Sequence, residues 1–353
     1  MNFKKWVLSF FAVLLTALVL LGSVVAVIDP FFHYHAPVDF LQYRIFYERY
    51  QNDGIVKHFD YDAHSTGNSV AENFKTSELD ALFGTNAVKV PFSGATLKEL
   101  DTLNRTAIEH NDSIRLVVEA LSYSDLILDK NALAYDESDY PNFLYNKNPL
   151  DDVKYLFNKS IFKTALDMIS YTRAGHTTTS FDAYAWWDTP DTAYGQDAIL
   201  GIYERGPLLA EQDGLSDYQR TLVRENVTQN ILETAQANPQ IDFYVYIAPF
   251  SMYAWDRFYR AGELKVQLEA EREAVELMLT CDNIHVFSFT DAFDLVQDYD
   301  RYKDTVHHDS RVNSWILECM TAGEHMVTYD NREEYFSRVY DFYTSYDYDS
   351  LFA

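Results

Sequence analysis

The chain has 353 residues, 48% of them hydrophobic, which supports a sizeable globular core and excludes a disordered protein. Its 54 acidic and 28 basic residues give a formal net charge of -26, a balance that repels nucleic acid and anionic lipid surfaces alike and excludes a nucleic-acid partner. Two cysteines, Cys281 and Cys319, make no disulfide framework and have no metal-ligand spacing; in an oxidising compartment they have the option of one bridge, which the sequence does not decide.

Lys4 and Lys5 precede an uncharged run from Trp6 to Ile28, 23 residues that end at Asp29-Pro30. At about 1.5 Å per residue a helix of that length crosses a bilayer. It exceeds the apolar core of about 7–15 residues in a signal peptide, and the bulky Val24 and Val25 spoil a small-residue cleavage site. An uncleaved anchor is expected over 6–28, with residues 1–5 cytoplasmic, because the lysines stand before the span. This predicts a single-pass cell-membrane protein whose main domain is extracytoplasmic.

Residues 29–58 read as a juxtamembrane linker with a short aromatic-rich helix over 39–52. From residue 59 to about 325 strands and helices alternate: strands over 59–65, 87–92, 114–121, 241–248 and 284–289, and helices over 70–82, 96–109, 216–238, 261–280 and 291–296. That alternation predicts an α/β fold, a parallel sheet covered by helices. Between about 126 and 216 the pattern weakens, leaving one helical run over 150–169, so a helical insertion over one end of the sheet is expected there. Residues 326–353 read as an acidic, aromatic C-terminal segment. Strings such as Tyr346-Asp347-Tyr348-Asp349 point to a solvated acidic surface, or to one that stacks on sugar rings.

Two signals carry chemistry. After the first strand comes Thr66-Gly67-Asn68-Ser69, a turn that can present a serine hydroxyl at the start of a helix; Ser69 with Glu72 three residues on also fits a capping box. After the last strand comes Asp304-x-x-His307, in which the carboxylate can fix the imidazole tautomer while the other ring nitrogen faces a nucleophile. Loops at the carboxyl ends of parallel strands converge on one crevice, so the two signals can meet. His308 competes with His307, and the spacing from Asp304 favours His307. His64 reads as a strand residue. His33, His35 and the cluster around Asp304 form no compact ligand set, so no metal and no cofactor are expected. Trp186-Trp187 could line a sugar cleft or fill the core of the insertion.

These motifs resemble the SGNH/GDSL hydrolase superfamily, and within it the membrane-anchored extracytoplasmic branch of the teichoic-acid D-alanyl transfer protein and related glycan acyl-modifying proteins. The likeness covers about Asp60 to Glu318: Gly67-Asn68-Ser69 as nucleophile block, Gly94 in the second block, Asp304-x-x-His307 as the last. It implies a three-layer SGNH or flavodoxin-like fold with Ser69, His307 and Asp304 as nucleophile, base and orienting acid, and an oxyanion hole from the N–H groups of Ser69 and Gly94. The third block departs from the pattern, reading Glu119-Ala120-Leu121-Ser122-Tyr123-Ser124-Asp125 where the family supplies an Asn; Ser122 is left as the substitute donor. The resemblance implies a serine esterase or O-acyltransferase acting on ester-linked acyl groups of a cell-envelope glycan or polymer. The alternative is a non-catalytic surface partner of a membrane acyltransferase.

Overall fold

The computed structural model describes residues 3–352, which fall into two compact units: the chain up to Phe59 together with Tyr135–Ser180, and Asp60–Ala134 together with the chain from Phe181 onward. The expected division differs. Only Tyr135–Ser180 of the expected insertion separates from the sheet, and it joins the N-terminal unit, whereas the stretch from Phe181 to residue 216 belongs with the sheet.

In the first unit the apolar helix runs Phe3–Ile28, with a mean hydropathy of 2.8 over its most apolar stretch. Most of its side chains are exposed, but Gly22, Val25 and Ile28 near its end are buried. Asp29 closes it: one carboxylate oxygen accepts from the His33 amide at 3.0 Å and the Tyr155 hydroxyl at 2.6 Å, the other from the amides of Tyr34 at 2.7 Å and His35 at 3.0 Å. Val25 and Phe31 share a small core with Leu144, Tyr155 and Ile161. The helix expected over 39–52 lies instead at Glu48–His58. The preceding stretch stays extended because threonine hydroxyls take its amides: Gln42 N–H to Thr172, Tyr43 N–H to Thr178 and Ile45 N–H to Thr179. The run over 150–169 splits into Val153–Leu156 and Lys159–Arg173, the latter capped by the Asn158 side chain.

The second unit is α/β. Its six strands are β1 Ala63–Thr66, β2 Ala87–Lys89, β3 Leu116–Leu121, β4 Asp242–Ile247, β5 Ile284–Ser288 and β6 Met326–Val327, in the order 2-1-3-4-5-6, parallel except for β6. Helices flank the sheet: α1 Thr76–Phe83, α2 Leu97–His110, α3 Asp217–Val227, α4 Met252–Ala261, α5 Leu264–Met278, α6 Ser310–Ala322 and α7 Arg332–Ser345. The central strand β3 is wholly buried, which is why it reads as a nearly continuous apolar run. Its one acid, Glu119, accepts from Asn104 Nδ2 at 2.6 Å, and the Asn104 carbonyl meets His64 Nε2 at 2.8 Å. Burial pushes Glu119 up to about 8 and His64 down to about 4, so both are neutral at pH 7.

Three sequence expectations change in this unit. No helix runs over 70–82; a single 3-10 turn at Ser69–Ala71 is followed by α1, because the buried Lys89 ammonium donates to the carbonyls of Glu72 at 2.5 Å and Phe74 at 2.8 Å. Helix α4, which the sequence reading left out, starts after a loop of four residues beyond β4 and buries Met252, Tyr253, Trp255 and Phe258. The C-terminal segment keeps its acids in solvent, as expected, but it is not separate from the sheet. It supplies the antiparallel edge strand β6 and helix α7, whose Tyr343 is fully buried, stacks on Trp255 at 3.9 Å and donates to the Thr290 carbonyl at 2.8 Å. In Tyr346-Asp347-Tyr348-Asp349 the acids face solvent while Tyr348 is buried. Cys281 and Cys319 are both free and buried.

Candidate active site

Strand β1 pairs with β2 on one side and β3 on the other, so the chain reverses its direction of travel across the sheet at β1. A crevice opens at the carboxyl ends of strands where such a reversal occurs. The turn after β1 carries Ser69, the loop after β2 carries Gly94, and Ser122 directly follows β3. All three line a cleft of about 270 Å³, together with Asn68, Asp125 and Arg257.

The turn that presents Ser69 is fixed by backbone geometry. Gly67 has φ +145°, and a Cβ there would stand 2.5 Å from Ala120 Cβ and 2.9 Å from Ala71 Cβ, so both conformation and close approach to β3 require glycine. The cap of the following 3-10 turn is Asn68, whose Oδ1 accepts from the Val70 amide at 3.3 Å. The capping box expected for Ser69 is therefore absent, and the Ser69 hydroxyl is free for another partner.

That partner is His307. Ser69 Oγ and His307 Nε2 are 2.6 Å apart, and His307 Nδ1 is 2.7 Å from Asp304 Oδ2. The second Asp304 oxygen accepts from the amides of Val306 and His307, each at 2.8 Å. Burial alone would raise the Asp304 carboxyl, but the hydrogen bonds from His307 and from these amides outweigh it and hold it below its ordinary value. An ionised Asp304 fixes the proton on His307 Nδ1 and leaves Nε2 to accept from the serine.

Three struts set the Ser69–His307 spacing. Asn313 on α6 donates to the Val70 carbonyl at 2.9 Å. The Trp187 indole N–H donates to the Ser69 carbonyl at 3.2 Å, and its ring stands edge-on to His307 with centroids 5.5 Å apart. Ser251, at the start of α4, donates from its hydroxyl to the Thr305 carbonyl at 2.7 Å. Trp187 is in turn held by Asn73, whose Oδ1 accepts from the amides of Trp187 and Asp188.

On the other side of Ser69, Asn68 Nδ2 donates to Ser122 Oγ at 2.6 Å and to Asp125 Oδ2 at 3.2 Å. Ser122 accepts this bond, so its own O–H is not spent on Asn68. Among the described residues the N–H groups of Ser69 and Gly94 have no protein acceptor. Gly94 has φ +68° and open space where a side chain would stand. Burial raises Asp125 to about 7 against the opposing hydrogen bonds from Asn68 and Ser124.

The structure thus brings Ser69, His307, Asp304, Gly94 and Ser122 to one place and leaves the rival residues elsewhere. His308 is buried and pushed down to about 4; its Nδ1 meets the Asp309 carbonyl at 3.4 Å and its ring packs edge-on to Tyr302. His64 lies inside β1. His33 and His35 belong to the other unit, where His33 meets Asp152 at 3.4 Å. Among the described residues no group of three or more His, Cys, Asp or Glu side chains is arranged to hold a metal ion. Sequence reasoning missed Asn313 and the bridging part of Asn68, for which no local signal exists. It noticed Trp187 without placing it.

Compared with known proteins, the chain matches no protein-family model, and no curated protein or solved structure matches it at a significant level.

Proposed function

We propose that this chain is a serine esterase or O-acyltransferase of the SGNH type, acting on an ester-linked acyl group of a cell-envelope glycan or polymer. One observation carries the reading: an unbroken hydrogen-bonded relay from Asp304 through His307 to Ser69 at the edge of an open cleft. In the reaction Ser69 Oγ attacks the acyl carbonyl carbon while its proton passes to His307 Nε2. The negative oxygen of the tetrahedral intermediate is received by the N–H groups of Ser69 and Gly94 and by the Ser122 hydroxyl, which stands where the family pattern has an Asn. Collapse expels the alcohol, which takes the proton back from His307. Water or a sugar hydroxyl, deprotonated by the same ring, then releases the acyl group and frees Ser69.

The strand order 2-1-3-4-5 supports an SGNH or flavodoxin-like arrangement, and the exposed apolar helix Phe3–Ile28, with Lys4 and Lys5 in its first turn, supports a membrane anchor with an extracytoplasmic catalytic unit. The experiment is labelling of the full chain in detergent with a fluorophosphonate probe, alongside hydrolysis of a neutral aryl ester. Labelling and turnover lost in Ser69→Ala are expected. Absence of both in the unmodified chain overturns the enzyme reading in favour of a non-catalytic assembly partner of a membrane acyltransferase.

A further inference from the structure

The cleft beside Ser69 holds a cation that the rest of the molecule leaves unneutralised. Arg257 lies on α4, is exposed and lines the cleft with Ser69, Ser122 and Asp125. In a chain with 54 acids for 28 basic residues most guanidinium groups find a carboxylate, as Arg205 does: it binds Asp256 through two nitrogens at 2.8–3.2 Å, with Tyr203 donating to the same acid at 2.8 Å. Asp256, adjacent to Arg257 in sequence, is thereby used up. Among the described residues Arg257 has no ion pair, and its guanidinium carbon stands 5.6 Å from the Phe258 ring centroid. A second such cation stands close by: Lys303 Nζ lies 3.8 Å from the centre of the Trp187 ring, the same ring that touches Ser69 and His307, and it too has no ion pair among the described residues.

The one acid lining the cleft, Asp125, is turned to Asn68 and not to Arg257. A guanidinium kept free of carboxylates in an open cleft offers a planar fork of donors, which suits carboxylate and phosphate oxygens above other groups. In so acidic a molecule the surrounding field repels anions, so one local cation decides whether a charged substrate can settle beside the nucleophile.

We propose that Arg257 is a specificity-determining residue and that the ester substrate carries an anionic group, a carboxylate or a phosphate, which Arg257 receives while its acyl carbonyl lies at Ser69. Lys303 adds to the same positive field from the Trp187 side. The inference rests on the esterase or acyltransferase reading and deepens it by naming the charge of the substrate.

The test uses two matched pairs of esters on the full chain in detergent. 4-Nitrophenyl hexanoate is compared with mono-4-nitrophenyl adipate, which places a carboxylate at the far end of the acyl chain; 1-acetylglycerol is compared with 1-acetylglycerol 3-phosphate, which places a phosphate on the alcohol side. The charged member of at least one pair is expected to have a kcat/KM about tenfold or more above its neutral partner. That ratio should fall about tenfold in Arg257→Gln and recover in part in Arg257→Lys, and the pair that responds tells which side carries the charge. Ratios at or below one for both pairs, or ratios that Arg257→Gln leaves within about twofold, overturn the proposal. Turnover of the neutral esters that survives Ser69→Ala counts against the nucleophile and not against Arg257. If no ester is turned over, calorimetric titration of adipate and of glycerol 3-phosphate decides: saturable binding lost in Arg257→Gln supports the anion site, and no binding rules it out.

Discussion

At the scale of single residues the relay has an order of importance that mutation can read. Ser69→Ala is expected to abolish ester turnover, and His307→Ala to match it, because either change breaks the same proton transfer. Asp304→Asn keeps the shape but loses the charge that fixes the His307 tautomer, so kcat should fall by about 10²- to 10⁴-fold with KM little changed; steady-state kinetics on the three variants checks this. Asp125 predicts a pH effect. As pH rises through about 7 it gains a negative charge one hydrogen bond from Asn68 and two from Ser122, where the oxyanion would form. Asp125→Asn should therefore outpace the parent at pH 8–9 and match it near pH 5.5, where the carboxyl is already neutral. A mutant-to-parent rate ratio independent of pH would refute this. Of these residues, Ser69, Asp304 and His307 were legible because each sits in a short string with a chemical meaning. Asn68 and Asp125 were quoted within such strings, but their mutual hydrogen bond spans a whole βαβ unit and leaves no trace in local spacing.

Among the elements, the β1 turn and the centre of the sheet carry the sharpest expectations. Gly67→Ala combines a positive φ with a Cβ driven into Ala120 on β3, and should cost about 2–4 kcal/mol, seen as a lowered denaturation midpoint together with weakened fluorophosphonate labelling. Buried Glu119 predicts an alkaline instability. Its folded value of about 8 lies above that of the unfolded chain, so between the two the folded state holds the extra proton and stability falls as pH rises. His64, lowered to about 4, works the other way, since the unfolded imidazole binds a proton below about pH 6.5 and stability rises with pH up to that point. The two oppose each other below pH 6.5, and only the Glu119 loss remains above it. Melting temperature is thus expected to decline from pH 6.5 to 9, and Glu119→Gln should flatten that decline by a few degrees; an unchanged slope would show that Glu119 is not its cause. Strand existence was readable from apolar runs, whereas of the helix expected over 70–82 only the second half forms, as α1, because Lys89 claims the carbonyls of Glu72 and Phe74 ahead of it. Helix α4 was passed over although it places Arg257 in the cleft.

For the whole molecule, the net charge and the apolar N-terminal helix set the expected behaviour. The chain should remain in the membrane fraction after an alkaline carbonate wash and be released by detergent, and protease added from outside the cell should digest the portion beyond Asp29; release by carbonate alone would refute an integral anchor. Reducing agent should leave the melting temperature unchanged, because Cys281 and Cys319 are both free. The sheet unit was largely legible, but the first unit was not: its core joins Val25 and Phe31 to Leu144, Tyr155 and Ile161, residues more than a hundred positions away that look like part of an insertion until their partners are seen. This interleaving has a consequence for biogenesis. The chain leaves the first unit at Phe59, builds β1, β2 and β3, and re-enters at Tyr135. As the ribosome delivers the chain from its N-terminus, β1 to β3 emerge while Val25 and Phe31 still await their partners, and the sheet in turn awaits β4 and β5 until the first unit is complete. Neither unit has all its residues before Ser180 is made, so a pause or truncation between residues 60 and 180 strands both at once.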